Sequence, residues 1–346
     1  MTSPQMAQLS TLALYAAMGV LAFAMLAFTL YLARLAPKRS ATRRADRSPV
    51  LVGAGGAEVE TLDGRSAGRG DVQDATGGAD SSEVSSKRAG GAAGSAGLML
   101  SWLAAMLLVA SIALRGFAVM RPPVANLFEF AVAGATATLV TYLVLAQRRP
   151  LRWLGLFVVL PVLCVLGLAL VSWYVPAAEL APALDDYWIA IHVPIAIISI
   201  GIFTVAFSVL MIQLLVERRE RGLAEVERGG GAAPAGSLLD ELPSAARLDR
   251  LAYSLHVAAF PLWTFTIIAG AIWGQKAWGT YWSWDPKEIW SFVIWVLYAA
   301  YLHARATSGW KRRTANLIAV AGYVAILLNT TVVNLFSSGL HSYSGL

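Results

Sequence analysis

The sequence predicts an all-α integral membrane protein of about eight transmembrane helices, with both the N-terminus and the C-terminus extracytoplasmic. Three observations carry that expectation. Of the 346 residues, 57% are hydrophobic and only 14% charged, with a mean hydropathy of +0.61, whereas soluble domains are about half apolar and about a quarter charged. The apolar residues fall in blocks, several reaching the roughly 20 residues that cross a bilayer as a helix. The basic residues collect in every second connection between those blocks.

Taken in order, the blocks give spans at about 11–34, 98–115, 127–147, 152–174, 189–216, 251–273, 288–306 and 314–336. Alternate connections then hold 23 of the 27 Lys and Arg, from Arg34 to Arg88, Arg148 to Arg152, Arg218 to Arg250 and Arg305 to Arg313. The other connections hold Arg115, Arg121, Lys276 and Lys287 alone. Basic loops stay in the cytoplasm, so the termini and residues 273–290 are expected outside, with the protein in the cytoplasmic membrane. The formal charge of +6 orients the chain and implies no nucleic acid partner. No Lys or Arg precedes the first span and a basic cluster follows it, the reverse of a cleavable signal peptide.

Residues 36–97 are rich in Gly, Ala, Ser and charge. Such a composition buries too little to offset ordering entropy, so a disordered cytoplasmic linker is expected, with residues 1–35 as a tethered, separable helix. Residues 217–250 form a second polar loop, whose end, "SLLDELPSAARLDRL", fits a short surface helix. The only cysteine, Cys164, lies within the fourth span. That excludes a disulfide framework, a CxxC redox pair and a cysteine zinc site.

The expected outer connections are better furnished. Five of twelve tryptophans stand in "WGQKAWGTYWSWDPKEIW", residues 273–290. An interfacial belt explains one or two tryptophans at a helix end, which suits Trp290 and Trp295 but not Trp273, Trp278, Trp282 and Trp284 together. Of four histidines, His192 and His341 fall on the same expected face as this stretch. His303 lies nineteen residues beyond Trp284, on the order of 28 Å along a helix, so it belongs to the inner half of the membrane with His256 at a similar depth. Imidazoles without cysteine or clustered carboxylates make a poor closed zinc site. Haem asks the protein only for axial ligands. Indoles would cover its flat face, and Lys276 and Lys287 would face its propionates. Pro286 suits the first turn of a helix, so Asp285 is expected to cap the seventh span, with a direct haem contact as the alternative.

Those residues resemble a known family. "WGQKAWGTYWSWDPKE" is similar to the tryptophan-rich WWD signature of cytochrome c biogenesis proteins, and its wording looks most like the CcsA/ResC branch of System II. "PVANLFE", "WIAIHVPI", "IWSFVIWVLYAAYLHAR" and "NLFSSGLHSYSG" agree in the same order, so the resemblance covers about 98–346, the expected haem-handling membrane domain.

The resemblance implies a haem b-binding membrane component of cytochrome c assembly that moves or presents haem at the outer membrane face. His192 and His341 would be axial metal ligands beside the WWD loop, and His303 one ligand of an inner site completed by a ResB/CcsB-type partner. Haem would be presented to the CxxCH motif of apocytochrome c for thioether attachment, with thiol-reducing proteins involved indirectly. No nucleophile of this chain is implied. His256 has no counterpart in the resemblance and is expected to pack or hydrogen-bond at the inner interface, with a local second ligand beside His303 as the alternative; Glu129 is expected to order the outer loops. A haem exporter without ligation activity and a quinone-linked b-type cytochrome stay open as alternatives. A transferase with paired carboxylates does not, because Asp185 and Asp186 read as ordinary loop acids.

Overall fold

The computed structural model describes residues 3–35, 77–176, 186–231 and 236–341, and among them it is all-helical. The helices are α1 (Ser3–Leu35), α2 (Gly77–Val119), α3 (Leu127–Arg148), α4 (Gly155–Ser172), α5 (Ile189–Arg228), α6 (Ala245–Trp278), α7 (Pro286–Ala306), α8 (Arg312–Thr330) and α9 (Val332–Phe336). With α8 and α9 taken together, eight helices are long and apolar enough to cross a membrane. In a bilayer a spanning segment must satisfy its own backbone groups, which makes helices the outcome of such runs. Helices α1 to α4 pack as one group and α5 to α8 as another, and α3 against α5 joins the two.

The first helix, expected as a separable tether, is docked. Leu14, Ala17, Leu21, Ala24, Phe28 and Leu32 form one buried stripe along α1. Phe28 is held between two glycines: a Cβ on Gly97 would stand 2.8 Å from its ring and one on Gly155 2.4 Å. Ser10 and Ser111 each donate to the other's backbone carbonyl at 2.8 Å. Close approach at small residues and such polar crosslinks are what hold helices together in lipid. The same device joins the groups, where a Cβ on Gly201 of α5 would meet the α3 backbone at 2.9 Å.

Helix ends depart from the expected boundaries. Helix α2 begins at Gly77, inside the stretch expected as linker, whose residues 36–76 lie outside the described residues. Helix α5 continues to Arg228 through the charged run after Val216. It can do so because charged residues in solvent support a helix through pairs four apart, here Arg221 with Glu217. The segment expected as a surface helix is a 3-10 turn, Leu238–Glu241, before α6 starts at Ala245. Helix α6 runs on past Trp273 to Trp278, so two of the clustered tryptophans are helical.

Opposite the α6–α7 turn, a buried polar network ties four helices. Arg305 of α7 donates to both oxygens of Asp249 on α6, at 2.9 and 2.8 Å. Asn316 of α8 donates to Asp249 at 3.1 Å and to Gln213 of α5 at 3.2 Å. Removing one partner of a buried, bidentate pair leaves the other charge uncompensated, at a cost of about 3–5 kcal/mol. Asp249→Ala should therefore lower the unfolding midpoint of the purified protein strongly, while Asp249→Ala combined with Arg305→Leu should recover much of the loss.

Candidate functional site

The turn between α6 and α7 is built by caps. Gly279, at φ +77°, ends α6 in the left-handed conformation that glycine adopts at little cost. Asp285 caps α7 through the Lys287 N–H at 3.0 Å. Glu288 reaches back to the N–H groups of Ser283 and Asp285, at 2.8 and 3.2 Å, completing a capping box. Between these caps Trp284 holds φ +59°, unusual for a residue with a side chain. Its indole is left 70% exposed.

Beneath the turn lies a cavity of about 1180 Å³ of empty space, its open mouth included. Its walls come from residues 124–130, from α5 at His192 to Ile200, from α6 at Trp263 to Trp273, and from Tyr281 and Trp282. The start of α7, the end of α8 and His341 close it. Seven stretches separated in sequence thus meet at one end of the bundle.

Both histidines expected there are present, and each has one ring nitrogen engaged. His192 Nδ1 lies 2.9 Å from the backbone carbonyl of Thr266, an acceptor only, so Nδ1 carries the proton. Its ring stands parallel to Trp273, 13° between planes and 6.2 Å between centroids. Gly270 makes the room, since a Cβ there would lie 2.7 Å from the imidazole. His341 Nδ1 lies 3.0 Å from Asp285 Oδ1, and its ring meets Trp273 and Trp278 edge-on at 5.7 and 4.7 Å. In both rings Nδ1 is the engaged nitrogen and Nε2 is the one turned away from that partner, the arrangement that metal-ligating histidines share.

Lys287 lines the cavity and donates to the Asn329 carbonyl and to Asn334 Oδ1, both at 3.0 Å. Among the described residues no carboxylate lies within ion-pair distance of it. The other three cations of this end do have such partners. Arg115 and Arg121 bind the buried Glu129 at 2.8 and 2.9 Å, and Lys276 faces Asp186 at 3.6 Å and the Tyr187 ring at 4.3 Å. Glu129 also takes the Ala125 N–H at 2.8 Å, so it fixes the loop that walls the cavity, as expected. Asp185 lies outside the described residues.

The expected site residues therefore separate. His192, His341, Trp273, Trp282 and Lys287 line the cavity, Asp285 and Trp278 support His341, and Lys276 and Trp284 stand outside it. His303 is exposed on α7. His256 is buried among Phe203, Tyr298 and Tyr301, with Nδ1 2.7 Å from the Ala252 carbonyl, which agrees with packing rather than ligation. The Thr266 carbonyl, Gly270, Asn329 and Asn334 escape a sequence reading, since none carries a distinctive motif. Among the described residues no group of three or more His, Cys, Asp or Glu could hold a metal ion.

Burial would raise the Asp285 pKa, but the bond from His341 and the N–H groups of Lys287 and Leu340 hold it below its ordinary 3.8. A depressed carboxylate contributes stability in full above its unfolded pKa and loses it as pH falls through the folded value. Protection of the Leu340 amide from hydrogen exchange, corrected for intrinsic rates, should thus hold at neutral and mildly acidic pH. It should drop only below the ordinary carboxylate range, and Asp285→Asn should abolish that acid step.

The "Cytochrome C assembly protein" family model matches residues 92–341. The cytochrome c biogenesis protein CcsA of Synechococcus sp. (strain CC9605) is 34% identical over 265 residues, covering 71% of this chain and 85% of the relative. The CcsA of Gloeobacter violaceus is 33% identical over 266 residues, covering 65% and 79%, and that of Synechococcus sp. (strain CC9311) 35% over 263, covering 69% and 84%. The matched span holds α3 to α9 and every residue of the cavity, and the chain belongs to the cytochrome c assembly protein family, on its CcsA-type, System II branch.

Proposed function

We propose that this chain binds haem b in the indole-lined cavity and presents it for attachment to apocytochrome c on the extracytoplasmic face. Membership of the family gives the role in cytochrome c assembly; the ligand, the face and the partners are our reading. One observation carries it. Two imidazoles from segments 149 residues apart in the chain rest on the same Trp273 ring, each with Nδ1 held by an acceptor and Nε2 left for a metal. The concentration of Lys and Arg in the connections at the opposite end supports an extracytoplasmic cavity.

In this reading His192 and His341 supply the axial ligands, Trp273, Trp282 and Tyr281 flank the ring, and Lys287 meets a propionate. A half-buried cation without a carboxylate within ion-pair distance favours an anionic group of the ligand. In the attachment step each cysteine thiol of CxxCH adds across one vinyl group. The sulfur bonds to one vinyl carbon and the proton goes to the other, so this chain contributes position rather than a nucleophile. Holding reactants in a productive orientation is worth several kcal/mol of barrier. His303, exposed on α7, fits an inner site whose second ligand comes from a ResB/CcsB-type partner, since an ionisable side chain within a span marks a functional position.

Absorption spectra of the protein purified with its partner test this reading. His192→Ala and His341→Ala should each weaken the affinity for haem, by about the 10–100-fold typical of losing the group behind a metal ligand, and each should shift its absorption bands. Added imidazole should restore both; unchanged affinity and bands in both variants would remove the site. Lys287→Gln should weaken retention of haem while leaving that of its dimethyl ester unchanged, which a competition assay reads directly.

A further inference from the structure

The two histidines have unlike supports. His341 is backed by a carboxylate, Asp285, whose Oδ1 takes the imidazole Nδ1–H at 3.0 Å. The same carboxylate accepts the Lys287 N–H at 3.0 Å and the Leu340 N–H at 2.7 Å. A Cβ on Gly339 would lie 2.1 Å from Asp285 Oδ2, so the chain before His341 closes on this carboxylate only as glycine. His192 is backed by the neutral carbonyl of Thr266 at 2.9 Å, an acceptor that also serves the α6 helix ladder. The group behind a ligating histidine raises its basicity, and hydrogen bonds to a charged acceptor are roughly twice as strong as neutral ones.

We propose that His341 is the persistent ligand of the haem iron and His192 the one that yields to the incoming histidine of CxxCH. The proposal rests on the reading of the cavity as a haem site. The exchange breaks one iron–imidazole bond, to His192, and forms one to the substrate's histidine, with no net transfer of electrons or protons. Asp285 is then a positioning residue that acts through His341. The unequal support gives the exchange a direction: the α5 side of the ring is released while the C-terminal side stays held.

The test compares haem retention and the ferrous iron–histidine stretching band in the full chain. His192→Ala should leave the haem it retains five-coordinate, while His341→Ala should lose haem about tenfold more readily than His192→Ala. In the His192→Ala background, Asp285→Asn should move the stretching band to lower frequency. Asn keeps the helix cap, and Glu288→Gln, which weakens the capping box without touching His341, should leave the band in place. In the His341→Ala background Asp285→Asn should have no effect on the band. Greater haem loss from His192→Ala, equal loss from both, or a band indifferent to Asp285→Asn would each overturn the proposal while leaving haem binding by the cavity intact. Spectra unchanged from wild type in both histidine variants would overturn the haem-site reading and this proposal with it.

Discussion

A single carboxylate joins the parts of this molecule that matter most. Asp285 caps α7, accepts the backbone of Leu340 and holds the imidazole of His341. The start of a transmembrane helix and the C-terminal segment are therefore fixed to one another at the point where the tryptophans stand. Without that link, His341 would hang on a segment beyond α9 with only ring contacts to locate it. With it, the ring is set against Trp273 and Trp278 with one nitrogen committed and the other available.

The rest of the bundle sustains this arrangement by placing its polar groups at the two ends. At the cavity end, Glu129 gathers Arg115, Arg121 and the Ala125 amide, which sets the α2–α3 connection as a wall. At the other end, Asp249 gathers Arg305 and Asn316. Between them the helices meet at small residues, as at Gly201 against α3 and Gly322 against the Tyr298 ring. Lipid tails offer helices no hydrophobic reason to associate, so these close approaches and end networks decide how α5 to α8 stand around the cavity.

A glycine is as much a part of the site as a histidine. His192 can lie flat along α6 because Gly270 has no Cβ, and the Asp285 carboxylate can meet Leu340 because Gly339 precedes it. Neither glycine carries chemistry of its own. Each permits a polar group to reach its partner within a wall that would otherwise exclude it.

Composition and the lengths of the apolar runs determined the eight spans, because a bilayer admits few alternatives to a helix of that length. Cap chemistry was also legible: Asp285 and Pro286 announce the start of α7, a matter of neighbours along the chain. Local sequence equally singled out His192, His341 and the tryptophans as candidates. Only the tertiary structure decided which of them meet. It brought both imidazoles against Trp273, left Trp284 and Lys276 outside the cavity, turned Asp285 from a cap into the support of His341, and docked α1 through Phe28. These are contacts between segments tens to hundreds of residues apart, set by which helix faces pack together, and periodicity along one helix carries no record of the neighbour it will find.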